Sequence, residues 1–300
     1  MAKKKPASAT AAPAEMSAGC LYVVATPIGN LEDITMRALR VLKEADLIAC
    51  EDTRQTLKLL SHFDISKRLV SYHEHNEITR AAEIVIELEQ GAKVALVSDA
   101  GTPAISDPGH RLVSLCLRHG IRVVPVPGAS AFVAALAASG MPIEQFSFAG
   151  FLPSRPTERR KALRALATEP RTLALYEAPH RLQDTLEDAL EILGNRPAVI
   201  AREVTKMYEE FQRGHIEDLI AAAQKKAPRG EITLLIGPPD GHEIHPADLT
   251  VAEKLPLARR VDEIMAERGV DRKAALKQVA RERGITRREA YKQLLVTRDD

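Results

Sequence analysis

The chain has 300 residues, of which 45% are hydrophobic and 28% charged, with a formal net charge of +1. That suits two ordinary globular domains with room for a small third. Its three cysteines, Cys20, Cys50 and Cys116, are too few and too widely spaced for a disulfide framework or a metal ribbon and point to a reducing, cytoplasmic setting. No stretch approaches the roughly 20 apolar residues of a membrane span, and a chain without Trp and with 4% aromatics offers no broad base-stacking platform.

The elements follow in chain order. Residues 1–18 carry Lys3, Lys4 and Lys5 ahead of an Ala/Ser/Thr/Pro segment without an apolar signal-peptide core, and read as a disordered tail or a weak RNA-contacting arm. Residues 21–26 (LYVVAT) predict a buried strand ending at Pro27-Ile28-Gly29-Asn30. Residues 34–45 have helical spacing. Residues 46–50 form a second apolar run, followed by Glu51-Asp52-Thr53-Arg54. A short run over 69–72 precedes a helix over 76–90, stopped by Gly91. Then come a strand over 93–98, a helix over 108–119, a short strand at Val123-Val124 and a small-residue helix over 127–139 stopped by Gly140. Strands alternating with helices imply a mostly parallel sheet covered on both faces. This is the first α/β domain, residues 19–141.

A second α/β domain, 142–240, has strands expected over 146–151, 172–176, 198–202 and 232–236, and helices over 157–167, 181–193 and 216–224. Hairpin-like pairing near Glu209 to Arg213 suggests a mixed sheet. Residues 241–300 read as a linker and a helical appendage. Thr250 and Glu253, like Thr286 and Glu289, have capping-box spacing, and Asp271 is placed to cap the helix between them. From Ala252 onward 13 Lys/Arg face 9 Asp/Glu, a mild basic excess. Short helices with a Gly-containing turn before a basic last one fit a helix-turn-helix-like unit, with a plain helical bundle as the alternative.

In an open α/β sheet, ligands bind beyond the carboxyl ends of the strands. Three such ends carry Gly/Pro loops: residues 26–31, residues 98–103 continuing to Gly109, and residues 125–131. Glycine permits close approach to the backbone, and proline fixes the turn. Asp99 offers acceptors for an ammonium or for ribose hydroxyls, and the helix start at Ser130 offers N–H groups for a carboxylate. Neither G-x-G-x-x-G nor a P-loop is present, so a dinucleotide and a triphosphate are not favoured.

Thr26 to Asp33, Glu51-Asp52-Thr53-Arg54, Ser98 to Pro103, Ser106-Asp107-Pro108-Gly109 and Pro127 to Ala131 resemble the tetrapyrrole-methylase superfamily and, within it, the ribosomal RNA small subunit methyltransferase I family. Phe148 to Pro153, Tyr176 to Arg181, Arg202 to Lys206 and Gly230 to Thr233 extend the likeness through the second domain. The resemblance implies two α/β domains with S-adenosylmethionine in the cleft between them, plus a small C-terminal helical domain. It also implies 2′-O-methylation of a cytidine ribose in 16S ribosomal RNA near the decoding centre, by a homodimer that needs no metal. The substrate would be small-subunit RNA or the assembled subunit.

Residues matched to the cofactor loops are Pro27, Ile28 and Gly29; Asp99, Gly101, Thr102, Pro103, Ser106 and Asp107; Gly128, Ala129, Ser130 and Ala131; and, from the second domain, Tyr176, Glu177 and Gly230. Asp107 has the alternative of capping the helix after it. Glu51, Asp52 and Glu203 are candidate proton acceptors or positioning groups, with a domain-interface ion pair as the alternative for each. Arg54, Arg159, Arg160, Arg202, Lys206, Arg287 and Arg288 are candidates to grip RNA phosphates, with ion pairing or a solvated face as the alternative. His73-Glu74-His75 lacks a third ligand and is read as a loop. Two other classes stay open: a small-molecule tetrapyrrole methylase, and a non-enzymatic regulator reading nucleic acid through the C-terminal helices.

Overall fold

The computed structural model describes residues 19–226 and 228–239, and in the C-terminal part residues 261–262, 264–265, 269, 271–282 and 290. Contacts divide the chain into two units, Met1–Pro239 and Asp240–Asp300. The tail at 1–18, the capping boxes at Thr250 and Thr286, and Arg287 and Arg288 lie outside the described residues.

The first sheet is wholly parallel. It contains β1 (Cys20–Val24), β2 (Leu47–Cys50), β3 (Arg68–Ser71), β4 (Lys93–Val97) and β5 (Arg122–Val126), in the order β3-β2-β4-β1-β5. Leu21 pairs with Val94 on one side and Val123 on the other, so β1 is central to its neighbours. This order sets β4, β1 and β5 side by side, and with them the three Gly/Pro loops at their carboxyl ends. Pro125 is tolerated because β5 is an edge strand.

The faces of this sheet are covered by α1 (Met36–Glu44) and α2 (Thr53–His62) on one side, through Ala38, Val41, Leu42 and Leu60. On the other lie α3 (Glu77–Glu89) and α4 (His110–Arg118), through Ile84, Leu88, Leu112 and Cys116. Helix α2 was not legible in the sequence. Only Thr56 and Leu60 of its ten residues are buried, and Leu57 is exposed, so the helix is amphipathic yet adds little to the core.

The second sheet is mixed. β6 (Phe146–Phe151), β7 (Thr172–Glu177), β8 (Pro197–Arg202), β9 (Glu210–His215) and β10 (Ile232–Ile236) lie in the order β6-β7-β10-β8-β9. Only β6 and β7 run parallel. The expected hairpin-like segment is β9, paired antiparallel to β8. Helices α6 (Pro156–Ala165), α7 (Leu182–Leu193) and α8 (Ile216–Lys225) cover one face.

Helix α5 (Ala131–Ser139) covers the other face and joins the halves. It starts four residues later than the sequence suggests, because residues 127–130 are taken up by the loop. Ala135 and Leu136 pack with Ala174, Val199, Ala201 and Leu235 of the second sheet, and with Ile28 of the first loop. The helix is apolar all round, with Ala135 and Leu136 buried against the second sheet and Val133 exposed. Its C-terminal carbonyls at Ala138 and Ser139 accept hydrogen bonds from the Arg213 guanidinium of β9 at 2.6 and 3.0 Å.

Within the C-terminal unit, α9 (Arg272–Glu282) begins as expected at Asp271, whose carboxylate accepts from the Ala274 amide at 2.7 Å. Val261, Ile264, Leu276, Val279 and Ala290 form a small apolar core there.

Candidate active site

The three loops are knitted together mainly by backbone. Thr26 and Gly101 exchange N–H···O bonds of 2.8 and 3.1 Å, and the Thr26 hydroxyl donates to the Ser98 carbonyl at 3.2 Å. Thr102 then donates to the Ala129 carbonyl at 3.2 Å, tying the second loop to the third. Gly101 has φ +80°, and a Cβ there would lie 3.3 Å from Ile28, so glycine serves both conformation and space. Four non-glycine residues with positive φ stand around the same region: Ala104, Ser106, Glu203 and Thr205. Such backbone costs about 1–3 kcal/mol each and persists where the surroundings over-determine it.

These loops form one wall of a cavity of about 410 Å³. The sequence-matched residues Ile28, Asp99, Gly101, Thr102, Ser106, Asp107, Ser130, Ala131, Tyr176, Glu177 and Gly230 all line it. Pro27, Gly29, Pro103, Gly128 and Ala129 do not. Gly128 packs against Ala25, Ala129 holds Thr102, and Gly29 passes beneath the Lys206 side chain, which a Cβ would strike at 2.3 Å. Ile105, Phe151, Pro179, Ala201, Val204 and Ile232 complete an apolar lining. They fall beside or within the matched motifs, but periodicity could not show which way each side chain points.

Several residues work behind the lining. The buried Glu177 carboxylate accepts from the Ala178 amide (2.7 Å) and the Thr185 hydroxyl (2.5 Å) and lies 3.4 Å from Arg181, so it braces the wall. Tyr176 faces the Ser130 hydroxyl and the Phe132 backbone, and burial pushes its phenol up. Asp107 does not cap α4, whose N-cap is Gly109. It is half-buried by the cavity, and burial raises its carboxyl despite the Ser98 hydroxyl.

The three candidate proton acceptors separate on geometry. Asp52 is the N-cap of α2 and chelates Arg54, which holds its carboxyl down at about 2. It is thus poorly suited to take a proton. Glu203 accepts from the Glu231 amide at 2.8 Å and pairs with Lys206 at 2.9 Å, and both contacts lower it. It props the turn at Gly230, where a Cβ would meet the Glu203 carboxyl at 2.4 Å. Glu51 alone is shifted upward, first by burial and then by the nearby Asp99, Asp107, Asp52 and Glu74. Asp99 anchors this cluster by accepting from the Asp52 amide at 3.1 Å.

The RNA-gripping set needs correction. Arg159 is buried, its side chain 4% exposed, and it pairs with Asp188 at 2.7 Å. Arg160 shares Asp188 at 2.8 Å and also pairs with Glu191. Both tie α6 to α7, and Arg159 cannot reach a phosphate. Arg202 is engaged by Glu210 at 2.8 and 3.0 Å, and Lys206 by Glu203 and Glu231. Arg54 is paired with Asp52 yet 85% exposed. Among the described residues no group of three or more His, Cys, Asp or Glu is arranged to hold a metal ion.

The cavity volume lies in the range of small-molecule sites. Its chemistry suits an adenosyl-amino acid: an apolar wall for a base, Asp99 for an ammonium or ribose, and the start of α5, without a side-chain cap, for a carboxylate. The acidic surround of Glu51, Asp99 and Asp107 favours a sulfonium cation. Two α/β halves closing on such a cavity define a methyltransferase of the two-domain kind.

The family model for Tetrapyrrole (Corrin/Porphyrin) Methylases matches residues 20–220. The ribosomal RNA small subunit methyltransferase I of Halalkalibacterium halodurans is 52% identical over 262 residues, 87% of this chain and 90% of that protein. The protein of the same name from Thermotoga maritima is 52% identical over 218 residues, 73% of this chain and 98% of that protein. The uroporphyrin-III-C-methyltransferase structure from Thermus thermophilus shares the fold, with a TM-score of 0.52 at 24% identity, covering 72% of this chain and 94% of that one. The chain belongs to the ribosomal RNA small subunit methyltransferase I family, within the tetrapyrrole methylases. It is a methyltransferase, and its methyl donor is S-adenosylmethionine.

Proposed function

We propose that this enzyme methylates the 2′-oxygen of a cytidine ribose in small-subunit (16S) ribosomal RNA, near the decoding centre. It would act in the cytoplasm as a homodimer, on the RNA or on the assembled subunit. The observation that carries the reading is the cavity between the two sheets, lined by the three loops, in a chain about half identical to proteins named for this substrate. The basic C-terminal segment favours RNA over a soluble macrocycle, which needs no appended charged unit. The well-built cleft speaks against a non-enzymatic regulator.

Asp99, Gly101, Thr102, Ser130, Ala131 and Tyr176 would hold S-adenosylmethionine, which supplies a methyl group already activated on a sulfonium. The protein's task is then alignment, exclusion of water and removal of one proton. Ile28, Phe151 and Val204 keep the cavity apolar. Glu51 receives the proton of the ribose hydroxyl, its carboxyl raised toward the working range by burial and like charge. Asp52 and Glu203 hold their loops in place. Arg54, exposed beside Glu51, meets a phosphate at the cleft mouth.

The test is nucleoside mass spectrometry of small-subunit RNA from cells carrying and lacking the gene. Loss of 2′-O-methylcytidine is expected without it; an unchanged level sinks the substrate assignment and leaves the methyl donor standing.

A further inference from the structure

A second cavity of about 410 Å³ lies on the opposite face of the second sheet and shares no lining residue with the first. Its lining includes Arg202, Tyr208, Glu210, Gln212, Lys226 and Arg229. Successive residues of a strand point to opposite faces. Ala201 accordingly packs toward α5 and lines the donor cavity, while Ile200 packs in the core on the other face and lines the second cavity. At the neighbouring strand end, Gly230 lines the first cavity and Arg229 the second. The two sites thus back onto the same strand ends, one residue apart along the chain.

The charges in this cavity are not balanced internally. Its carboxylate, Glu210, is consumed: one oxygen accepts from both Nε and Nη2 of Arg202 and the other from the Gln212 amide at 2.9 Å. Lys226 and Arg229 are exposed and neither side chain has a salt-bridge partner among the described residues. Tyr208 is 70% exposed and its neighbour Met207 89%. An exposed aromatic ring thus stands beside two exposed cations, Arg229 and Lys226, the second of which also acts on the Glu210 carboxylate.

We propose that this cavity binds a nucleotide of single-stranded RNA flanking the methylated one. The Tyr208 ring stacks on its base, Lys226 and Arg229 hold its phosphates, and the Gln212 amide faces its edge. Aromatic faces with cations are the usual means of gripping unpaired RNA. The strand crosses the rim formed by Arg229 and Gly230, so one nucleotide reaches the methyl donor while a neighbour is anchored behind the sheet. The inference rests on RNA being the substrate.

Steady-state methyl transfer to unmethylated small ribosomal subunits by the full chain tests it, with donor affinity measured by calorimetry. For Tyr208→Ala the KM for subunits is expected to rise about tenfold, with kcat and the donor Kd near wild type. For Lys226→Ala/Arg229→Ala the slope of log affinity for a single-stranded RNA probe against log salt should shrink by about 1.4. Wild-type KM and an unchanged slope in variants that still bind the donor would overturn the subsite while leaving RNA as substrate. A wild-type enzyme that binds donor but transfers no methyl to subunits would overturn both.

Discussion

The two halves of the enzyme build one cleft by different means. The first presents backbone: three loops on adjacent parallel strands, held by the Thr26–Gly101 pair and the Thr102 bond, with Gly101 at the cavity and Gly29 and Gly128 packed close behind it. The second presents side chains braced from behind by charge, with the buried Glu177 on Thr185 and Arg181, the partly buried Glu203 on Lys206, and the buried Arg159 on Asp188. A backbone wall tolerates most side-chain loss but no added bulk. A wall braced by ion pairs tolerates bulk better than the removal of one partner.

That contrast orders the expected effects. Asp188→Ala leaves the Arg159 guanidinium buried and unpaired, and should cost about 3–5 kcal/mol of stability by denaturant unfolding; a loss of under 1 kcal/mol would break the picture of a charge-braced half. Glu51→Gln should lower kcat about a hundredfold with little change in donor affinity. In the wild type, kcat should rise with pH as Glu51 loses its proton, at a pH above the usual carboxylate range because burial raises it. A pH limb that survives in Glu51→Gln assigns the proton elsewhere.

Asp99→Ala should weaken S-adenosylmethionine binding about tenfold by calorimetry, since a charge-assisted contact contributes about 1.5–3 kcal/mol. Near-normal affinity removes Asp99 from the pocket. Thr102→Ala, which deletes one hydroxyl bond from a loop also held by the Thr26–Gly101 backbone pair and the Thr26 hydroxyl, should cost only about 1 kcal/mol in thermal or denaturant unfolding. A much larger loss would mean that the first half, too, depends on its side chains.

The sequence already carried the alternation of strands and helices, the second domain's strands to within a residue or two, and the loops at 26–31, 98–109 and 125–131. Those features are local: strand periodicity and Gly/Pro punctuation leave marks where they occur. Strand order is not local, and nothing in the chain announces that β4, β1 and β5 are neighbours. Nor could the sequence tell a phosphate-seeking arginine from a bracing one. Arg159 and Arg160 follow an exposed loop in the chain, yet meet Asp188 from a helix nearly thirty residues further on. Nor does the chain alone separate a proton acceptor from a positioning carboxylate: that Asp52 caps α2 and pairs with Arg54 shows only once that helix is seen.

The most direct measurement supplies the purified full chain with isotopically labelled S-adenosylmethionine and small ribosomal subunits from cells lacking the gene, then digests the RNA to nucleosides. Label is expected on the ribose of a single cytidine, abolished by Gly101→Val, whose side chain would crowd Ile28 and enter the donor cavity. Label on a base, or none in RNA from an enzyme that binds the donor, would contradict the proposed function.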